Sequence, residues 1–201
     1  SAYQFNGNTV LYFGDAQAQE FPDDKDSFSI SVWIKYNTSM KDFISIGGYG
    51  CSDSTRGTII RLSGNNLSRF DGCGQAGIIN GDFSDDNWQH LVFVYDKNIG
   101  RKVFLNGSQQ TFNSIAGYGN IFNIVNHGLS IGGGGYRSQA SLGVSFFDGQ
   151  ADDLKLWNSA LTDKEVQDLY TVEDTAPLIT PSPAVTLGCV SSTTISITIS
   201  S

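Results

Sequence analysis

Residues Val144–Tyr170 read VSFFDGQADDLKLWNSALTDKEVQDLY, and this stretch decides the class of the chain. The pattern predicts a strand, a tight glycine turn, a second strand and one short helix. Thr162 and Glu165 stand at the Thr-x-x-Glu spacing of a capping box, and Leu161 and Val166 occupy the positions of a hydrophobic staple. Val166, Leu169 and Tyr170 then give the helix a single apolar face. The carboxylate pair Asp152–Asp153 falls beside the glycine turn, a pattern suited to a hard cation with oxygen ligands.

Upstream, strand signals dominate. In Phe28–Tyr36, FSISVWIKY, the residues Phe28, Ile30, Val32, Ile34 and Tyr36 share one face, and Ser29, Ser31, Trp33 and Lys35 share the other. Trp88–Tyr95 is apolar on both faces, as a central strand is. Asp42–Ile46, Thr58–Leu62 and Leu129–Ile131 are shorter candidates. Lys102–Leu105 runs into Asn106-Gly107, a strong two-residue hairpin signal, with Gln109–Phe112 as the return strand. Short strands at regular spacing, with almost no helix, predict an all-β, antiparallel two-sheet sandwich of the jelly-roll kind.

Composition agrees and excludes some functions. Hydrophobic residues make up 39% of the 201, enough for a folded core. The net charge is −8, and the 12 Lys and Arg are scattered, so no basic stripe is present to neutralise nucleic-acid phosphates. No apolar run is long enough to insert into a bilayer. No basic and apolar leader follows Ser1, so no signal peptide is expected there, as in a mature fragment.

Cys51 and Cys73 each sit in a glycine-rich loop, and loops flanking a hairpin bring such residues side by side. A disulfide is the expectation, and with it an oxidising compartment; two free loop thiols are the alternative. Near Thr175 the composition changes. Pro177, Pro181 and Pro183 cluster there, and Ile195, Ile197 and Ile199 then alternate with polar residues. Residues 1–174 are read as one domain. Residues 175–201 are read as a Pro-rich linker with the first strand of a truncated following β domain, or as a strand folding back on the first domain. On the first reading Cys189 belongs to a later disulfide.

The pieces YQFNGN, SFSISVWIKYN, NWQHLVFVYD, KVFLNG, GLSIGGG and FFDGQADDLKLWNSALTDKEVQDLY occur in that order over residues 1–172. In this order they resemble the laminin-G-like, concanavalin-A-like jelly-roll family. The resemblance implies the sandwich fold and a secreted or cell-surface setting among neighbouring domains of one chain. It does not specify a ligand, because the family includes sugar binders, protein binders and structural modules. It also implies where a structural calcium would sit: the turn Asn6, Gly7 and Asn8, with Asp152 before the last strand. Asn6 stands where Asp is commoner in the family, which lowers the charge of that site. A structural calcium is the expectation, and hydrogen bonding of Asp152 to turn amides without metal is the alternative.

Catalysis finds little support. Retaining glycosidases on this fold need two carboxylates about 5 Å apart, carried by a Glu-x-Asp strand motif. Glu20, Glu165 and Glu173 are the chain's three glutamates, and none belongs to such a motif. Adjacent strand residues point to opposite faces, so Asp152 and Asp153 are not expected to act as one pair. No Gly-x-Ser-x-Gly elbow is present, and His90 falls within a core strand. The expectation is a non-catalytic module for carbohydrate recognition or adhesion. A spacer or protein-interaction module, or an accessory domain of an extracellular enzyme, is the alternative. The loops Gly47–Thr55, Ser68–Gln75, Ala116–Asn120 and Gly132–Gln139 supply the candidate contacts Tyr49, Arg69, Asp71, Tyr118, Tyr136, Arg137 and Gln139.

Overall fold

A computed structural model describes residues 2–15, 27–36, 41–46, 58–63, 66–72, 75–80, 86–112, 114–115, 128–133, 146–172 and 199–200. Their strands form two sheets. In sheet A, β1 (Tyr3–Asn6) pairs with β13 (Asp148–Trp157), followed by β3 (Phe28–Lys35), β8 (Gln89–Asp96), β9 (Gly100–Leu105) and β10 (Ser108–Gln109). Sheet B runs β11 (Ser114–Ile115), β7 (Gln75–Asn80), β6 (Asn66–Gly72), β5 (Thr58–Ser63), β4 (Lys41–Ile46), β12 (Gly128–Ile131) and β2 (Leu11–Asp15). These pairs are antiparallel. A last strand, β14 (Ile199–Ser200), pairs in parallel with Leu156–Trp157 of β13.

The alternation in FSISVWIKY is the alternation observed. Phe28, Ile30, Val32, Ile34 and Tyr36 join Leu91, Phe93, Tyr95, Phe5 and Phe147 in one buried cluster. Ile131 and partly buried Leu11 enter the same cluster from sheet B, so this is the interior between the sheets. β8 lies between β3 and β9, and its other face is also buried. Val92 and Val94 pack there with Phe104 and Val166 of α1 (Asp163–Val172).

The capping box forms as the spacing predicts. The Glu165 carboxylate accepts from the Thr162 backbone N–H and hydroxyl, both at 2.7 Å, and the Glu165 N–H donates to the Thr162 hydroxyl at 3.2 Å. Leu161 and Val166 meet in the outer cluster as the staple requires. The Asn106-Gly107 turn has φ of 49° and 74° at its two residues, the signature of a type I′ hairpin.

Two local expectations are corrected. Gly149 is not a turn: it lies inside β13, and what precedes that strand is a single bridge between Phe146 and Gly133. Ser68–Gln75 is not one loop, because β6 extends through Gly72 and β7 begins at Gln75. Strict alternation also fails at Asp152–Asp153. β13 bulges between Asp152 and Lys155, and Asp153 takes a left-handed φ of 48°.

The hydrogen bonds from Thr162, backbone first and hydroxyl second, hold the Glu165 carboxyl below its ordinary pKa. A lowered pKa gives stability that is present above the unfolded value and lost as pH falls through the folded one. Thr162→Ala should therefore cost about 1 kcal/mol near neutral pH, the usual worth of an N-cap. The penalty should shrink once Glu165 is protonated. Denaturant unfolding of both proteins at neutral and acid pH checks this, and an undiminished penalty at acid pH would show that the carboxylate has no part in it.

Candidate functional site: a polar groove at the end of sheet A

Inward-facing Tyr3 and Phe5 leave Gln4 and Asn6 on the outer face of β1. The register then sets polar residues in rows across three strands. Gln4 pairs with Gln150, and Gln150 pairs with Lys35; one pair further along, Asn6 faces Asp148. In the opposite direction the row Asp152, Trp33 and His90 runs under the helix. Tyr170 of α1 stacks on Trp33 and on His90, each at 6.0 Å between ring centres. The helix covers the middle of this face and leaves the polar end open.

That end holds a groove of about 340 Å³ lined by Gln4, Lys35, Tyr36, Asp86, Asp148, Gly149 and Gln150. The volume is at the lower end of the range for small-ligand sites, about 300–1,000 Å³. Gly149 permits its floor: a Cβ there would stand 2.6 Å from the Lys35 carbonyl oxygen and 2.8 Å from the Tyr36 Cβ. Tyr36 is buried, so it supports the groove without offering a ring face. The Gln4 amide nitrogen donates to the carbonyls of Phe5 at 2.7 Å and Gly149 at 3.1 Å, which leaves its oxygen as the group to meet a ligand. The Lys35 ammonium lies 3.8 Å from an Asp86 carboxylate oxygen, the outer limit of an ion pair. Among the described residues, the Asp148 and Gln150 side chains make no hydrogen bond or ion pair. The set is rich in acceptors, with one ammonium and one carboxamide as donors.

None of these groove residues was singled out from the sequence except through the FFDGQADD motif. The available signal was a period of two, Asp148, Gln150 and Asp152 on one face of β13 and Gln4 and Asn6 on one face of β1. Placing a turn at Gly149 concealed it.

The structure divides the four residues read as calcium ligands. Gly7, at a φ of 74°, stands by Asp148, whose carboxylate oxygen is 3.7 Å from where a Gly7 Cβ would lie. Asp152 is four residues along β13, about 13 Å away, and its carboxylate accepts the Asp153 N–H at 2.9 Å. The Asn6 side-chain oxygen already accepts from the Asn8 N–H at 3.1 Å and the Thr9 hydroxyl at 2.8 Å. Asn6, Gly7, Asn8 and Asp152 thus do not converge as one ligand set, and Asp148 is the carboxylate at the turn. Among the described residues no three His, Cys, Asp or Glu side chains gather as they would around a metal.

Arg69 and Asp71 lie on β6, opposite Arg61 and Ile59 of β5. Tyr49, Tyr118, Tyr136, Arg137, Gln139, Cys51 and Cys73 lie outside the described residues. His90 is a core residue, with its Nε2 2.7 Å from the Ser31 hydroxyl and its ring stacked on Trp33. Among the described residues no helix is long and apolar enough to cross a membrane.

Solved structures share this fold at low identity. The CBM40 module of the Ruminococcus gnavus IT-sialidase, bound to α2,3-sialyllactose, aligns with a TM-score of 0.62 at 12% identity, over 85% of this chain and 96% of that one. Domain 4 of AbnA, an extracellular arabinanase from Geobacillus stearothermophilus, in complex with arabinotriose, gives 0.54 at 22%, over 84% and 76%. A pentraxin from Limulus polyphemus gives 0.57 at 14%, over 84% and 81%. At these identities the likeness is one of fold. No curated protein matches the sequence. A family model does, across residues 6–167, and by that match the chain belongs to the concanavalin A-like lectin/glucanases superfamily.

Proposed function

We propose that the chain is a non-catalytic carbohydrate-binding module of a secreted or cell-surface protein. The observation that carries this reading is the outer-face groove. The free side chains of Asp148 and Gln150, the Gln4 carboxamide oxygen and the Lys35 ammonium are groups that hydrogen-bond sugar hydroxyls, and they stand on strands rather than on a loop. The fold adds support, since two modules that share it were solved with bound saccharides. Binding rather than hydrolysis fits the placement of Glu165, which is engaged in the helix cap and not at the groove. The loop residues Tyr49, Tyr118, Tyr136, Arg137 and Gln139, with Arg69 and Asp71, belong to the proposal as a further contact region. A Cys51–Cys73 bond would stiffen the loops that carry part of it.

A structural calcium is the second part of the proposal. Its carboxylate would be Asp148 in place of Asp152, beside the Asn6–Asn8 turn.

The module should bind a saccharide on a glycan array, and Gln150→Ala and Lys35→Ala should each lower the signal severalfold with an unchanged melting curve. Full binding in both variants would move the contact to the loops, where Tyr136→Ala locates it. No binding to any glycan would favour the spacer reading. For calcium, an ion that binds only the native state raises the melting temperature. Added calcium should raise it in the wild type and not in Asp148→Asn, and a melting curve indifferent to calcium and chelator would remove the ion from the proposal.

A further inference from the structure

We infer that the groove at the end of sheet A selects uncharged sugar units and discriminates against anionic glycans. This rests on the saccharide reading and names the class of ligand. Among its described residues the lining carries Lys35 against Asp86 and Asp148, a balance of one positive to two negative charges. The Lys35 ammonium already lies beside Asp86, at 3.8 Å. Gln4 has both its donor directions directed into backbone carbonyls and presents its oxygen. Asp148 makes no hydrogen bond or ion pair among the described residues, so in the calcium-free state, to which the inference applies, its carboxylate is open to a ligand.

Such a lining suits hydroxyl groups. A neutral sugar donates its hydroxyl protons to the oxygens of Asp148, Asp86 and Gln4, and accepts from Lys35 or the Gln150 amide. A sialic acid carboxylate or a sulfate has no proton to donate to these oxygens and would compete with Asp86 for the ammonium. It would do so with Asp148 close by and uncompensated, in a chain of net charge −8. Like charges brought together across an interface are how a site rejects a wrong partner. The preference therefore belongs to this chain's side chains and not to its fold, which a module solved with sialyllactose shares.

The test is a set of matched glycan pairs, each neutral oligosaccharide beside its sialylated form. Binding is read for the whole chain in chelator, so that the groove carries only its side-chain charges. The neutral member should bind at least tenfold more tightly. Asp148→Asn and Asp86→Asn should narrow that ratio, and so should added salt, which screens the repulsion. Melting curves matching the wild type would show that both variants fold. Preference for the sialylated member would overturn the inference and leave the saccharide reading standing. An unchanged ratio in both Asn variants would also overturn it, because the discrimination would then arise elsewhere. Failure to bind either member of every pair, both in chelator and with calcium restored, would overturn both.

Discussion

The structure depends on covering the outer face of sheet A. β3 and β8 are buried on both sides, so Val92, Val94 and Phe104 need an apolar partner away from the interior. The segment after β13 supplies it through Ala160, Leu161 and Val166. Polar groups under this cover must be satisfied as well. The Ser29 hydroxyl donates to the Ser159 carbonyl and accepts the Leu161 N–H, both at 2.9 Å, which fastens the helix lead-in to the sheet. The Asn106 side chain accepts the His90 N–H at 2.9 Å, and Gly107 leaves room for Tyr170, whose ring a Cβ there would meet at 2.9 Å. One hairpin turn, one helix and two serines thus close the same face.

The helix is ten residues long, and its reach sets where the open surface begins. Tyr170 ends over Trp33 and His90. The next row, Gln4, Gln150 and Lys35, is uncovered. The boundary between structural and exposed polar surface is therefore a difference of one row along β13 and β3. The rings of Trp33 and His90 lie under Tyr170, and amides and charges occupy the open row.

The elements that proved legible are those whose signals are local. The capping box needs only residues 162–165, the hairpin only residues 106–107, and the core face of β3 only its alternation. β6 and β7 were less legible, because NLSRFDG and QAGIIN mix glycine and polar residues without a clean period. The groove was hidden for a different reason. It is assembled by register among β1, β13 and β3, and β13 lies more than a hundred positions along the chain from the other two. Gly149, which reads locally as a turn, is in fact the residue that lets β13 approach the end of β3 at Lys35 and Tyr36. The expected grouping of Asp152 with the Asn6 turn missed by two pleats, since position along a strand is set by pairing and not by motif order.

Pairing of β1 with β13 has a mechanical consequence. Tyr3 lies beside Ala151, and the two strands run antiparallel, so the start of β1 and the far end of β13 point the same way. Tension applied through the chain before Tyr3 and after β14 would first load the two-residue β13–β14 pairing and then the helix. It would then load the β1–β13 ladder at one end, separating its hydrogen bonds in succession and not all at once. Strung between other modules, this domain would act as a link that yields by peeling, with its endurance under load governed by the rate of unfolding rather than by its equilibrium stability.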